Sequence, residues 1–373
     1  MSAAPAARQR IESAPNPAIG EQRRNPRPQP VLSERRTTSN ERERSCGPDV
    51  AARSRPTRSS SALFVFFLEV AMANSWRRRA LRSLLAFAAL LALVVAFVAM
   101  SSQRRLQRDY ALKIEVGAPD PALAEQGRHL ARSRGCMDCH GGDLAGKIVL
   151  DEMPFGRIVG DNLTRMPPGH ENASVHERMF RALRHGVDLD SRPLLMMPSQ
   201  EYAHFSAREI EAISAYVSTL KPIDHGLPQS ALGPLGRALL AFGKLDDGFV
   251  SAEKIDHDAP TMAAPPPVGT IEYGHHLARL CTGCHRADYA GGPMPHAPDK
   301  KPAANLTPHG LAGWSERDFI VAMRTGKRPD GTGIDGSVMP WRAVGTADDE
   351  ELKSLWMFLR SLPPVERSTN AKL

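Results

Sequence analysis

Cysteine is scarce in this chain, with 5 residues in 373, and aromatic residues make up only 6%. So few cysteines exclude a disulfide-rich scaffold, whose small core depends on many cross-links. The sequence contains no Gly-rich phosphate loop in a strand context and no nucleophile elbow. A nicotinamide or flavin domain is therefore not expected. The chemistry must lie in a small number of other residues.

Lysine is absent from residues 1–108, although the chain as a whole is basic, with a net charge of +7. That segment holds 19 Arg against 7 Asp and Glu, whereas residues 109–373 carry 29 Lys and Arg against 34 Asp and Glu. A nucleic-acid partner is indicated when basic residues are spread over the folded part of a protein. Here that part is mildly acidic, so we expect no nucleic-acid partner.

The N-terminal segment, residues 1–74, is a candidate disordered tail. It is rich in Arg, Pro, Ser and Ala, and most of it lacks the apolar surface that would offset the entropy of ordering. Met72 is followed by Ala-Asn-Ser-Trp-Arg-Arg-Arg, which is typical of the start of an export signal. The true translation start is therefore predicted near residue 72.

Residues 75–108 are predicted to anchor the chain in a membrane. The run from Ser83 to Met100 is uncharged and 18 residues long, so as a helix it extends about 27 Å, close to the thickness of a bilayer core. The alternative is a cleaved signal peptide, but the run ends in a poor cleavage site. Arginines precede the run, which predicts a cytoplasmic N-terminus. We expect a single pass through the bacterial cytoplasmic (inner) membrane, with the C-terminal body in the periplasm.

Four of the five cysteines lie in two copies of the pattern Cys-x-x-Cys-His, residues 136–140 and residues 281–285. This pattern is the attachment signature of a c-type haem, because two thiols one helical turn apart add to the porphyrin vinyl groups and the histidine reaches the iron. A redox disulfide or a zinc site with four thiolates is the alternative, but neither needs the two histidines. We predict two covalently bound haem c groups, held by Cys136, Cys139, His140, Cys281, Cys284 and His285.

The two patterns belong to a longer internal repeat. Four further segments recur in the same order: Gly127–Arg132 with Gly274–Arg279, Asn162–Thr164 with Asn305–Thr307, Arg184–Gly186 with Arg324–Gly326, and Ala215–Pro222 with Met357–Pro364. A repeat of this kind indicates tandem copies of one domain. We place the first domain at residues 109–224, a linker at 225–268 and the second domain at 269–373.

Each domain reads as a small bundle of helices. The first helix is predicted near Ala122–Arg134 and near Thr270–Leu280. The last helix is predicted to begin with a capping box, Ser206 with Glu209 in the first domain and Thr346 with Asp349 in the second. Gly127 and Gly274 lie inside the first helices, where glycine is unfavourable. We therefore expect close helix crossings there, against Tyr216 and Phe358 of the last helices.

Two methionines occupy equivalent positions before the last helices. Met197 lies 57 residues after His140, and Met339 lies 54 residues after His285. Methionine opposite histidine gives a saturated, high-potential haem, so we predict His140, Met197, His285 and Met339 as the iron ligands. Met196 is the alternative in the first domain. Four further residues offer donors that could bind haem propionates: Asn162, Asn305, Arg184 and Arg324.

The chain resembles the membrane-anchored cytochrome c subunits of bacterial periplasmic dehydrogenases that oxidise alcohols, aldehydes and sugar acids. The second domain carries the resemblance in Asn305–Pro308, Gly313–Ser315, Arg324–Gly326, Met339–Pro340 and Leu362–Pro364. In the first domain, Arg165 replaces the proline after Asn-Leu-Thr and the Gly-Trp element is missing. Many members of that family have three haem motifs, whereas this chain has two.

The resemblance implies an all-α protein, with two tandem cytochrome c domains behind one N-terminal transmembrane helix. It implies transfer of single electrons from a periplasmic dehydrogenase or other donor to a membrane acceptor of the respiratory chain, with no catalytic residue in the chain. The lipid bilayer would be a further partner. Two alternatives are a di-haem enzyme of the peroxidase or thiosulfate-oxidising type and a di-haem subunit of a terminal oxidase.

Overall fold

A computed structural model describes residues 60–245, 248–294 and 302–366. The chain divides into two units, Met1–Met72 and Ala73–Leu373. The disorder predicted for residues 1–59 lies outside the described residues. Helix α1 spans Ser60–Leu106, so residues 60–74, assigned above to the disordered tail, are helical instead. The apolar run after Ser60 contains neither proline nor glycine, so nothing in it stops the helix from extending back from the anchor.

Among the described residues, one helical stretch, Ser75–Leu106, is long and apolar enough to cross a membrane. It contains the uncharged run from Ser83 to Met100. The stretch exposes large apolar side chains such as Leu84, Phe87 and Leu93. Exposed side chains of this kind are expected of a helix whose surroundings are lipid.

Five helices form the first domain. A short 3-10 turn, Pro121–Leu123, leads into α2, and the helices are α2 (Ala124–Ser133), α3 (Cys136–His140), α4 (Val175–Phe180), α5 (Ser199–Tyr202) and α6 (Ala207–Ser218). A turn of π-helix, Arg181–His185, continues α4. Apolar side chains of α2, α4 and α6 share one buried cluster that includes Leu130, Met179 and Ile213. This cluster supports the loops that carry the predicted haem ligands.

A three-stranded antiparallel sheet corrects the all-α prediction to a mostly helical fold. Strands β1 (Lys147–Glu152) and β2 (Gly156–Gly160) form a hairpin, and β3 (Ala231–Leu232) in the linker pairs with β2. The hairpin strands are rich in valine and isoleucine, which favour extended backbone, and residues 153–155 make the turn. The linker strand that completes the sheet pairs with residues more than 70 positions earlier in the chain, so local sequence patterns do not reveal that strand.

The linker also contains helix α7, Pro234–Ala241. Proline at its first position suits the start of a helix, because the missing N–H would have no partner there. Leu240 of α7 packs with Ile158 of β2, Leu232 of β3 and Phe249 in a third buried cluster. Leu106 at the end of α1 packs against the same cluster. This part of the linker is therefore folded, and it packs against both the end of α1 and strand β2 of the first domain.

The second domain repeats the helices of the first. Its helices are α8 (Ile271–Ala278), α9 (Thr282–His285), α10 (Glu316–Thr325), α11 (Trp341–Val344) and α12 (Asp349–Ser361). A 3-10 turn, Arg279–Cys281, joins α8 to α9. The core of this domain includes Tyr273, Phe319, Leu352 and Leu359.

The close helix crossings expected at the two repeat glycines are confirmed. A β-carbon placed on Gly127 would lie 1.8 Å from the backbone oxygen of Ala212 and 2.9 Å from Cβ of Tyr216. The corresponding distances at Gly274 are 1.9 Å to the backbone oxygen of Ser354 and 2.8 Å to Cβ of Phe358. No side chain fits in either crossing. The first and last helices of each domain therefore meet backbone to backbone.

The capping box predicted for the last helix is confirmed in one domain and wrong in the other. Ser206 and Glu209 exchange the expected contacts at the start of α6. In the second domain the box is Asp348 with Glu351, two residues beyond the predicted pair. Asp348 has the extended backbone of a capping residue, and its carboxylate suits the positive end of the helix.

Candidate haem-binding sites

The cysteines of each motif lie one helical turn apart. In the first domain, α3 places Cys136 and Cys139 at positions three residues apart, which share one side of a helix. None of the four motif cysteines forms a disulfide. Burial raises the pKa of Cys136 and of Cys281 to about 12, so these thiols are neutral. Among the described residues, the one group of His, Cys, Asp and Glu close enough to share a metal ion contains no cysteine, which argues against a four-thiolate zinc site.

In both motif histidines, one ring nitrogen is hydrogen-bonded to a backbone carbonyl. Nδ1 of His140 lies 2.7 Å from the backbone oxygen of Asp161, and Nδ1 of His285 lies 2.8 Å from that of Ala304. A carbonyl only accepts, so each Nδ1 carries the proton and each Nε2 presents its lone pair. Burial lowers the pKa of both rings, which favours the neutral form that binds a metal. The donor set therefore fits a covalently attached haem in each domain.

The carbonyls that orient these histidines precede the repeated Asn-Leu-Thr segments. Oδ1 of Asn162 accepts from the backbone N–H of Thr164 at 2.9 Å and from its hydroxyl at 2.7 Å, while Nδ2 donates to the backbone oxygen of Ile223 at 2.7 Å. The second domain repeats these contacts with Asn305, Thr307 and Val365. The two asparagines thus tie the histidine-orienting loop to the segment after the last helix.

The two repeat arginines, Arg184 and Arg324, also donate to the protein itself. Arg184 donates to the backbone oxygens of Asp256 and Ala259 in the linker. Arg324 donates to the backbone oxygen of Gly345 and, at 2.7 Å, to the carboxylate of Asp349. These contacts give the arginines a structural role in bracing the loops around the predicted ligands.

The predicted methionine ligands lie in loops of matching geometry. The backbone N–H of Ser199 donates to the oxygen of Met197 at 2.8 Å, and that of Trp341 donates to the oxygen of Met339 at 2.7 Å. Both methionines pack against the core of their own domain. Met196 instead is 43% exposed and has a φ of 60°. The geometry therefore favours Met197 over Met196 as the ligand of the first domain.

The two domains exchange equivalent contacts between the first helix of one and the last helix of the other. Nε2 of His129 in α2 lies 2.6 Å from the Glu351 carboxylate in α12. Nε2 of His276 in α8 lies 2.9 Å from the Glu209 carboxylate in α6. The histidines occupy matching positions of the repeat, and so do the glutamates. The same capping glutamates thus close their own helices and bind the opposite domain.

Arg134 adds a buried ion pair to one side of this interface. Its guanidinium donates to the Glu351 carboxylate at 2.6 Å and to the Tyr273 hydroxyl at 3.2 Å, and that hydroxyl also donates to Glu351 at 2.6 Å. The side chains of Arg134 and Glu351 are 2% and 5% exposed. Burial raises the pKa of Glu351, but the contacts from His129 and Arg134 outweigh it and hold the pKa well below its usual range. Glu351 is therefore ionised throughout the physiological range.

Each methionine loop also lies beside the haem motif of the other domain. In the first domain, α5 follows Met197, and Oε2 of Glu201 in α5 accepts from the Thr282 hydroxyl within the second motif at 2.8 Å. In the second domain, α11 follows Met339, and a β-carbon on Gly135, next to the first motif, would lie 3.9 Å from Cβ of Ala343. The two predicted haem sites therefore border one another.

The interface predicts a pH dependence of stability. A hydrogen bond to Glu351 raises the pKa of His129, with Asp348 adding to the effect and burial and Arg134 opposing it. The stabilisation from protonated His129 is complete below its ordinary pKa of about 6.5 and is lost as the pH rises through the raised value. We expect the free energy of unfolding to fall from pH 6 to pH 9, and to fall less steeply in His129→Gln. Guanidinium unfolding at several pH values measures both slopes, and equal slopes would contradict the assignment.

The capping pattern at a helix start does not reveal that Glu209 and Glu351 also bind the opposite domain. The predicted capping box explained Glu209 as part of a helix start, and the box predicted for the second domain did not include Glu351. The available signal was the shared histidine at the third position of the repeated Gly-x-His segment. A polar residue kept at the same position on two first helices points to a contact that both domains make.

Two family descriptions match the two domains. Residues 122–217 match the family described as cytochrome c oxidase, cbb3-type, subunit III, and residues 271–363 match the family described as cytochrome c. Each match contains one Cys-x-x-Cys-His motif and ends within or just after the last helix.

Several curated proteins are similar to this chain over about two thirds of its length. The alcohol dehydrogenase (quinone) cytochrome c subunit of Gluconacetobacter polyoxogenes is 28% identical over 281 residues, which cover 67% of this chain and 58% of that protein. The fructose dehydrogenase cytochrome subunit of Gluconobacter japonicus is 24% identical, with 67% and 56% covered. A diheme cytochrome c-type protein of Cereibacter sphaeroides is 25% identical, with 65% and 87% covered. The chain thus spans a little over half the length of the two dehydrogenase subunits.

Proposed function

We propose, on the premise that this chain carries two cytochrome c domains with one covalent haem c each, that it passes single electrons from a periplasmic dehydrogenase to an acceptor of the respiratory chain. The observation that carries the proposal is the pair of equivalent sites, each offering an oriented histidine and a methionine. Haem supplies the redox chemistry, namely the reversible gain of one electron by iron. The protein sets the potential, the orientation and the access of solvent.

The role of each ligand follows from its surroundings. His140 and His285 would bind iron through Nε2, since a backbone carbonyl holds Nδ1 of each ring. Met197 and Met339 would each supply the second protein ligand of the iron in their own domain. A thioether ligand favours the reduced state and leaves no open position for a substrate. Both sites would therefore be carriers, and the chain would have no catalytic residue of its own.

The partnership with a dehydrogenase is supported by the names of the similar proteins, which are subunits of alcohol and fructose dehydrogenases. The membrane location is supported by the apolar helix Ser75–Leu106. Arg77, Arg78, Arg79 and Arg82 precede its apolar core, and positive charge next to a spanning helix favours the cytoplasmic side. Both domains would then lie in the periplasm, where a dehydrogenase donor is within reach.

Direct transfer between the two haems is part of the proposal. The helix after Met197 contacts the second haem motif through Glu201 and Thr282, and the helix after Met339 lies against Gly135 beside the first motif. An electron that enters one domain would thus have a short path to the other. The reciprocal contacts at the interface would keep that path fixed.

A second candidate is a di-haem subunit of a terminal oxidase. It is favoured by the match of residues 122–217 to a subunit of the cbb3-type oxidase. Capture of the full chain from solubilised membranes separates the two candidates. We expect dehydrogenase subunits in the captured complex, and oxidase subunits in their place would overturn the partnership while leaving the carrier role intact.

Substitution of the methionines tests the iron ligands. We expect Met197→Ala and Met339→Ala each to remove about half of the near-infrared charge-transfer band of methionine-ligated haem, because each removes one of two such ligands. Met196→Ala is the matched control and should leave the band unchanged. Magnetic circular dichroism of the oxidised protein measures the band. Loss of half of the band in Met196→Ala, with the band unchanged in Met197→Ala, would assign the ligand of the first domain to Met196.

Hydrogen peroxide tests the carrier role against the di-haem enzyme. A carrier with both iron positions filled has no site for peroxide, so its spectrum should not respond within the time of a titration. A high-spin haem that reacts with peroxide in the wild-type protein would make this chain an enzyme.

A further inference from the structure

Helix α7 presents an apolar stripe to its surroundings. Leu235 and Leu239 of α7 and Phe242, the residue that caps its C-terminus, recur at positions i, i+4 and i+7, which lie along one side of a helix. Leu235 is 44% exposed and Phe242 is 54% exposed. The buried side of the helix is formed by Gly236 and Leu240. The stripe is therefore additional to the face that packs on the protein.

The stripe lies beside the outer end of the membrane helix. The Phe242 ring is 5.7 Å from the ring of Phe97 in α1, measured between centroids. Arg105 donates to the backbone oxygen of Leu240 at 2.5 Å, and Arg237 donates to the side-chain oxygen of Gln103 at 3.3 Å. The contacts of α7 and Phe242 thus follow α1 from Arg105 inward to Phe97.

These contacts fix the depth of the stripe relative to the bilayer. Phe97 lies three residues before Met100, the last residue of the uncharged run, which places it about 4–5 Å inside the end of that run. Phe242 is therefore level with the outer edge of the hydrocarbon core. The position is held firmly, because Arg105 also forms an ion pair with Glu253 at 2.5 Å and Leu106 packs against the linker cluster.

We propose that α7 is a second membrane contact, which lies in the outer interface of the bilayer with Leu235, Leu239 and Phe242 inserted among the acyl chains. The proposal rests on the membrane anchorage proposed above. An amphipathic helix binds this region through its apolar side, and basic side chains add attraction to lipid phosphates. Lys244, three residues after α7, and Arg104 of α1 are exposed basic residues near this helix.

Two membrane contacts restrict the orientation of the protein more than a single contact does. A single spanning helix leaves the attached body free to tilt and turn about its end. A second contact at α7 removes that freedom, so both haem domains are held at one orientation to the membrane surface. Donor and acceptor then meet the same faces at every encounter.

Labelling with a photoactivatable phospholipid tests the proposal. The full-length haem protein is placed in lipid nanodiscs that contain a phospholipid with a diazirine in its acyl chain, and adducts are mapped by mass spectrometry. We expect adducts on peptides from α1 and from α7. In the variant Leu235→Glu/Phe242→Glu, we expect the α7 adducts to fall about tenfold, because the apolar side chains no longer enter the lipid.

Val321 of the wild-type protein provides the matched control. Val321 is an apolar residue of α10 with a similar exposure, 44%, and it should be unlabelled in the wild type. Adducts on α1 without adducts on α7 would overturn the proposal and leave the anchor standing. No adducts on either helix would overturn the anchorage itself. Equal labelling of α7 and α10 would show that exposure alone explains the adducts, which also overturns the proposal.

Discussion

Replacing Glu351 with glutamine should lower the free energy of unfolding by about 3–5 kcal/mol, because it leaves the buried Arg134 guanidinium without a counter-charge. Arg134 is 2% exposed and Glu351 is 5% exposed, so water cannot replace the lost carboxylate. Glutamine keeps the size of the side chain and one acceptor oxygen. The expected decrease in stability therefore comes from the missing negative charge, because the packing of the side chain is retained. Guanidinium unfolding at pH 7, followed by far-ultraviolet circular dichroism, measures it.

Glu350→Gln is the matched control for this prediction. Glu350 is the preceding residue of α12, and its ion pair with Lys353 is exposed, at 63% for the carboxylate side chain. Exposed pairs contribute about 0–1 kcal/mol, so the control should stay close to the wild type. The double variant Arg134→Met/Glu351→Gln removes the stranded charge and should recover part of the loss. Equal stability of Glu350→Gln and Glu351→Gln would show that the buried pair does not stabilise the interface.

The second large effect is expected at Gly127. In Gly127→Ala the new methyl group would lie 1.8 Å from the backbone oxygen of Ala212, so α2 and α6 must move apart. Overpacking of this kind costs about 1–3 kcal/mol and sometimes more, which outweighs the roughly 1 kcal/mol that alanine gains over glycine inside a helix. We expect lower stability and a lower yield of haem-loaded protein. Gly274→Ala should behave in the same way in the second domain.

Gly142→Ala is the control for the helix crossing. Gly142 follows the haem motif of the first domain, but a β-carbon there would meet nothing within 4 Å, and its φ is not left-handed. The substitution should therefore be neutral or slightly stabilising. A Gly127→Ala protein as stable as Gly142→Ala would contradict the backbone-to-backbone contact.

Features set by short stretches of sequence could be predicted. The two haem motifs, the first and last helices and the capping box at Ser206 each depend on residues within about one or two turns. The internal repeat also made some contacts between distant residues predictable, because the same residue at equivalent positions indicates a shared structural need. Glycine at residues 127 and 274 indicated close helix crossings, although the contacted residues lie 85 and 80 positions away.

Features that join distant segments could not be predicted. Strand β3 is two residues long and becomes a strand only because β2 offers its edge. The cap of α12 was placed at Thr346 because a hydroxyl followed by an acidic residue fits the pattern, yet Asp348 with Glu351 fits equally well. Only the packing of α12 on the first domain, where Glu351 meets Arg134, distinguishes the two.

The reciprocal contacts of the two domains have a consequence for the origin of the chain. His129 binds Glu351, and the matching His276 binds Glu209. An interface in which one residue type meets another twice, with the partners exchanged, is isologous, as in a homodimer with a two-fold axis. Duplication and fusion of a gene for such a dimer would produce this arrangement. Arg134 lies between the first helix and the first motif, where the first copy is two residues longer than the second, and its ion pair with Glu351 makes the two sides of the interface differ.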